Sequence, residues 1–387
     1  MTTDLTQPVA PARDTLTHDH DGPTADAFAE RIFASTLGFV DVLSAYVGDR
    51  LGWYRSLVDD GPATPAELAT RTSCDERYAR EWLEQQAVSG VLTVEVVDGL
   101  DGFDGVDGQR RYALRPGPAE VLTDPASLNY LTPLVRMFIA PAGQLPALLD
   151  AYRTGGGVSW EQLGDDARES QADMNRPWYE QKLAPALASL PDIHDRLARP
   201  GARVLDVGCG AGWSTIALAQ AYPDAVLDGV DVDEPSMVAA RRNAVEAGVA
   251  DRVTFRTADA AGLQGDGAPA GAAYDMAFAF ECVHDMSQPV PVLSAIRCAL
   301  APHGVLVVMD EAVAEEFAAP GDEIEQLMYG FSAFICLPDG RSSAPSEATG
   351  TVMRRSTLDS YARRAGFGGA EVLPTGEFGL WRFYALR

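Results

Sequence analysis

Apolar residues recur at helical spacing from Ala25 to Leu57, with Phe28, Ile32, Phe33, Leu37 and Val40 among them. The pattern predicts two amphipathic helices broken near Gly48 and ended by Asp60-Gly61-Pro62. A short helix is expected from Pro65 to Thr70, with Thr64 as N-cap and Glu67 at its third position. The turn Ser73-Cys74-Asp75 leads into a helix from Glu76 to Ser89, with Gly90 just past its end. Two β-like runs follow, Val91 to Val97 and Arg111 to Leu114, joined by a Gly/Asp loop. Helix-turn-helix plus hairpin is a winged-helix layout. From Pro116 to Tyr152 the pattern is helical again, with breaks at Pro125, Pro133, Pro141 and Pro146, and Gly155-Gly156-Gly157 reads as a linker. One more helix, Ser170 to Leu190, precedes Pro200-Gly201, after which strands and helices alternate to the C-terminus. The expected division is a disordered tail (1–23), a helical winged-helix-like domain (24–157) and an α/β domain (158–387).

Composition changes what the winged helix can mean. The 387 residues are 47% hydrophobic and 22% charged, enough for two packed domains. Acids outnumber bases by 56 to 30, a net charge of -26 that repels nucleic-acid phosphates. From Asp75 to Asp98, where a DNA reader would be basic, six acids face two bases, Arg77 and Arg80. The wing loop repeats Asp98, Asp101, Asp104 and Asp107 at a spacing of three, which fits a flexible acidic turn and fails the calcium-loop pattern. The winged helix is therefore expected to be a scaffold, and no nucleic-acid partner is expected. Five scattered cysteines without CxxC spacing predict neither disulfides nor zinc, and a reducing cytoplasm. The first 23 residues lack an apolar signal region, and their His18-Asp19-His20-Asp21 reads as a solvated tail. No run of 18 apolar residues occurs, so no membrane span is expected.

The chemistry concentrates after residue 200. Arg203 to Val207 reads as a buried strand, followed by Gly208-Cys209-Gly210-Ala211-Gly212, a helix from Trp213, and a second strand ending at Asp231. Glycines let a backbone approach a ligand, the helix start offers free N–H groups, and an acid ending the second strand suits ribose hydroxyls. The third glycine comes one residue earlier than in a dinucleotide fingerprint, and Asp206 precedes the loop. A carboxylate there opposes a pyrophosphate and suits an ammonium, as in S-adenosylmethionine (SAM).

The segments DVGCGAG, GVDVD and FECVHDM resemble class I SAM-dependent methyltransferases. The front half (GDRLGWYRSL, REWLEQQA, VSGVL) and the ending (TGTVMRRSTLDSYARRAGF, GLWRFYALR) resemble bacterial small-molecule methyltransferases with an N-terminal winged-helix-like domain. The resemblance implies a Rossmann-like seven-stranded sheet preceded by that domain. It places Asp206 and Gly208 at the methionine end of SAM, with Gly210 and Gly212 shaping the turn. It places Asp231 on the ribose, Val232 on the adenine, and Asp259 on the adenine amino group beside Ala260. Phe280, ending the fourth strand, completes the cofactor wall. Asp233 is read as a helix cap.

The fourth strand runs into Glu281-Cys282-Val283-His284-Asp285, beyond the carboxyl end of the sheet. His284 suits a general base for a hydroxyl acceptor. The resemblance matches it to the catalytic histidine of plant-type O-methyltransferases and Glu311 to its orienting acid. Met286 stands where those enzymes carry Trp, and their other partner acid has no secure counterpart. Glu281 is an alternative catalytic or cofactor-facing acid. Acceptor choice is expected from the segment between Glu311 and Thr351, with Met328, Tyr329, Phe331, Phe334 and Cys336, completed by Trp178 and Tyr179. The expected function is SAM-dependent methylation of a small molecule at oxygen, in a homodimer formed through Ala25 to Leu57. A SAM-sensing regulator and a non-methylating SAM fold are the competing readings.

Overall fold

The computed structural model describes residues 22–96, 110–263 and 274–387. The aspartate-repeat wing loop, His18 and His20 lie outside the described residues.

The first helix runs through Gly48 from Ala25 to Arg50, and the break falls at Gly52, in the left-handed region at φ +68°. Gly48 has a different task. A methyl group there would collide with the Trp82 and Tyr54 rings, so its bare backbone lets two helices cross closely. Trp82 donates its indole N–H to the Ser44 carbonyl at 2.8 Å, fixing that crossing. The helix Pro65–Thr72 starts with the expected capping box between Thr64 and Glu67, and Asp75 caps Glu76–Val88. Strands β1 (Leu92–Val96) and β2 (Arg110–Leu114) pair antiparallel behind them. Trp53, Tyr54, Leu57, Leu68, Leu83 and Tyr112 form the core of this winged helix.

The second sheet contains β3 (Arg203–Val207), β4 (Val226–Asp231), β5 (Val253–Thr257), β6 (Tyr274–Phe280), β7 (Leu300–Glu311), β8 (Ala370–Val372) and β9 (Trp381–Leu386). Among the described residues it has seven strands in the order β5-β4-β3-β6-β7-β9-β8. The pairs from β5 to β7 are parallel, and β9 runs antiparallel to both β7 and β8. Both faces are covered, which is why these strands read as continuous apolar runs. Val204, Met276, Phe278 and Val307 belong to the core on one face; Leu205, Ala277, Leu306 and Val308 belong to the other. Strand order reverses between β3 and β6, which opens a crevice at their carboxyl ends.

A third core joins the helices of the middle segment to the 323–340 region: Met137, Leu148, Val158 and Leu163 pack with Met328, Phe331 and Ile335. The triglycine expected as a linker is docked in this contact. A Cβ on Gly157 would collide with the Pro338 carbonyl, and the Val158 N–H donates to that carbonyl at 3.0 Å. The predicted helix Ser170 to Leu190 is three pieces, Asp165–Trp178, a π-helical turn Tyr179–Leu183, and Ala184–Ala188. Arg136, buried, ties its first piece to the N-terminal helix through Asp49 at 3.5 Å, Glu169 at 3.4 Å and Asp173 at 2.7 Å.

Candidate active site

Two cavities open at the carboxyl ends of β3 and β6. The first, about 280 Å³, is walled by the loop Gly208–Ala211 and by side chains from four strand ends. Gly208 sits at φ +68°, and a Cβ there would lie 2.6 Å from the Cβ of Cys282. Gly212 sits at φ +81° as N-cap of the helix Trp213–Ala221, where a Cβ would lie 2.6 Å from the Phe255 ring. Glycine is thus required twice, once for the approach to β6 and once for helix packing.

Asp231 lines this cavity while accepting the Gly210 N–H and the Asp233 N–H, each at 2.9 Å. Burial raises its pKa, and those backbone donors oppose the rise. Val232, Asp259, Ala260 and Phe280 line the same cavity. Asp233 caps the next helix through the Ser236 N–H at 3.0 Å and pairs with Arg168 at 3.0 Å.

Asp206 is placed differently from its expected contact with the methionine end. Its side chain is buried behind the loop, where Oδ2 accepts the Ser214 and Thr215 hydroxyls at 2.6 Å each and Oδ1 has no partner. The physical reason is register: strand alternation turns it under the first turn of the helix, away from the cavity wall. Burial lifts its pKa to about 6 against the two hydroxyl donors.

The acid content of this cavity decides which cofactor it suits. Asp231, Asp233, Asp259, Glu281, Asp285 and Asp339 all line it. Among the described residues the one lining guanidinium is Arg168, already paired with Asp165 and Asp233. A pyrophosphate would be repelled here, whereas a cationic nucleoside fits.

The second cavity, about 330 Å³, shares Trp160, Gln171, Glu281 and Asp285 with the first. Its apolar walls include Leu134, Met137, Trp178, Phe331, Leu380 and Trp381, and Met328 and Cys336 also line it. Tyr329 and Phe334 are instead 41% and 42% exposed and do not line it. Tyr179 faces the first cavity rather than this one.

His284 lines the second cavity and is buried among three acids. Its Nδ1 lies 3.0 Å from Asp310 Oδ1 and 3.2 Å from Glu311 Oε2, and its Nε2 lies 3.3 Å from Asp285 Oδ1. Burial pushes the imidazole pKa down, but the three carboxylates outweigh this and hold it well above the usual value. Glu311 is raised by burial, with His284 opposing. Asp310, adjacent to Glu311, is a further acid against the imidazole, one that motif matching had not singled out.

Glu281 stands where the cavities meet, in the left-handed region at φ +51°, a costly conformation for a non-glycine residue. Its N–H donates to the Met309 carbonyl at 2.8 Å, anchoring the turn to β7. Gln171 Nε2 at 2.9 Å and Asn175 Nδ2 both donate to Oε2. Burial lifts the carboxyl pKa to about 7, with the Asn175 donor opposing.

Strand order, glycine loop and acidic crevice converge with sequence comparison. Residues 198–337 match the family profile of a methyltransferase domain, and residues 40–123 that of an Rv2258c-like winged HTH domain. The chain carries a methyltransferase domain behind a winged helix-turn-helix domain. The structure of mitomycin 7-O-methyltransferase matches with a TM-score of 0.68 at 24% identity, over 95% of this chain and 99% of that one. Human N-acetylserotonin methyltransferase, solved with SAM, matches with 0.66 at 17% identity, over 95% and 99%. These likenesses show the fold. The 27-O-demethylrifamycin SV methyltransferase of Amycolatopsis mediterranei is 28% identical over 175 residues, 43% of this chain and 62% of that protein. A Synechococcus protein is 33% identical over 114 residues, 29% of this chain and 25% of that one. The chain therefore spans less than two thirds of these curated relatives. In the methyltransferase domain the glycine loop and Asp231 occupy the switch point, and His284 faces the neighbouring cavity from the turn after β6.

Proposed function

We propose that the protein transfers a methyl group from SAM to a hydroxyl of an apolar small molecule. The observation that carries this reading is the adjacency of an acidic nucleoside-sized cavity and an apolar cavity ending at a buried histidine. Asp231 would hold the ribose hydroxyls, Val232 and Ala260 the adenine faces, and Asp259 the adenine amino group. Gly208 and the loop would hold the methionine end, with Asp206 adding negative field from behind. SAM supplies an electrophilic methyl group on a sulfonium. The apolar walls align the acceptor and exclude water, and proximity supplies most of the acceleration. His284 takes the acceptor proton, and Asp310 and Glu311 hold its ring and stabilise the resulting imidazolium.

The winged helix supports this as a scaffold. Arg77 pairs with Glu81 and Arg80 with Glu76 on the same helix, so its bases are neutralised before any phosphate arrives. We also propose a homodimer built on Ala25–Arg50 and, from five unpaired thiols, a cytoplasmic setting. The reading is tested with isotopically labelled SAM and metabolite extract, read by mass spectrometry. Asp231→Ala should weaken S-adenosylhomocysteine binding at least tenfold. His284→Ala should spare that binding and cut methylation by a factor of about 100. Full methylation by the His284 variant would remove the base assignment.

A further inference from the structure

The polar end of the acceptor cavity is dominated by carboxyl groups. Three carboxyls, Glu281, Asp285 and Glu311, face one imidazole, and among the described residues no arginine or lysine lines the cavity. Both nitrogens of His284 are already flanked by carboxylates. Asp285 Oδ1 and Glu311 Oε2 are buried, lie within ion-pair distance of the His284 ring at 3.3 Å and 3.2 Å, and accept no well-aligned hydrogen bond. At Glu281 both amide donors, from Gln171 and Asn175, go to the same oxygen, Oε2, leaving Oε1 to accept from a bound molecule. Arg136, which lies near Tyr130 of the cavity wall, is engaged by Asp49, Glu169 and Asp173. The rest of the wall is aromatic and aliphatic, with Trp160, Trp178, Phe331 and Trp381.

We infer that this cavity selects a neutral or cationic acceptor with an aromatic-sized apolar body and a hydrogen-bond-donating head, and that Glu281 is the residue that excludes carboxylates and phosphates. The inference rests on the methyl-transfer reading for the word acceptor, while the selectivity itself is a property of the cavity. An anionic head would meet Glu281, Asp285 and Glu311, while the one cation of the wall among the described residues, the His284 imidazolium, is already flanked by Asp285, Asp310 and Glu311, in a water-poor site that strengthens the repulsion. A hydroxyl or ammonium supplies the donor that the carboxyls lack.

The experiment uses the full chain saturated with S-adenosylhomocysteine and three matched probes: 2-naphthol, 2-naphthylmethylamine and 2-naphthoate. Calorimetry at about pH 8, above the Glu281 pKa of about 7, should give Kd values for the naphthol and the amine at least tenfold below that of the naphthoate. Glu281→Gln should narrow the gap at least threefold by strengthening the naphthoate and weakening the amine. Equal affinities in the wild-type protein, or binding of none of the three, would overturn the inference, and neither result needs the variant to fold. An unchanged ratio in folded E281Q would overturn the role of Glu281. Failure of the wild-type protein to bind S-adenosylhomocysteine, measured first, would instead count against the methyltransferase reading.

Discussion

His284 shows how one residue's surroundings set its chemistry. An isolated buried imidazole would lose its proton, yet Asp285, Asp310 and Glu311 reverse that tendency. Its folded pKa lies above its unfolded one, so the stability contributed by the imidazolium is complete below about pH 6.5 and is lost as pH rises through the folded value. The free base needed for proton abstraction appears over the same upper window. The kcat/KM for a hydroxyl acceptor should therefore climb on the alkaline side of about pH 6.5. Asp310→Asn removes one carboxylate, so the climb should shift to lower pH; a midpoint unmoved in that variant would mean that His284 does not govern the profile. His284 and Glu311 were legible from sequence as neighbours of one crevice, because one follows β6 and the other ends β7 in a recognisable motif. Asp310 carried a signal too, since an acid closing a buried apolar strand must find a partner. Gln171, Asn175 and Asp339 carried none: they reach the site from helices, across more than 50 residues of intervening chain, and no local spacing encodes that meeting.

Two glycines in one helix separate intrinsic propensity from packing. Gly48 lies against Trp82 and Tyr54, whereas Gly38 has nothing near its virtual Cβ. Alanine is the better helix former by roughly 1 kcal/mol, so Gly38→Ala should leave urea stability unchanged or raise it by about that amount. Gly48→Ala should lower stability by about 1–3 kcal/mol, because the rings cannot both retreat from a packed core. Equal effects at the two positions would show that the helix crossing is looser than its geometry. The contrast also explains where sequence reading stopped. The helices Pro65–Thr72, Glu76–Val88 and Trp213–Ala221 and the strands Arg203–Val207, Val226–Asp231 and Tyr274–Phe280 followed, within a few residues at their ends, from caps, periodicity and apolar runs. A glycine inside a helical pattern gives no sign of whether it breaks the helix or receives a ring; only the partner helix decides. The triglycine at 155–157 poses the same ambiguity, resolved by the Pro338 carbonyl.

At the scale of the whole molecule, no layer among the described residues covers the first half of the N-terminal helix. Residues 25–41 are all exposed, including Phe28, Ile32, Leu37 and Phe39, and Phe33 is 67% exposed. An uncovered helical segment of this length is marginal in water, so this one needs a partner for its apolar residues. By length and composition the whole helix also suffices to cross a membrane, with a mean hydropathy of 1.2 over its most apolar 18-residue window. A second copy of the chain is the occupant we propose, because the helix's C-terminal half is already committed to Trp82, Asp166 and Glu169 of the folded body. Each copy brings a net charge of -26, so association works against long-range repulsion that salt screens. Light scattering after gel filtration should give twice the chain mass, and the dimer should tighten as sodium chloride rises from about 20 to 300 mM, across the range in which the Debye length falls below about 10 Å. Phe33→Glu together with Leu37→Glu should return the monomer mass while preserving S-adenosylhomocysteine binding, since neither residue touches the cofactor cavity. A wild-type protein that stays monomeric and floats with phospholipid vesicles would assign the same face to a membrane instead.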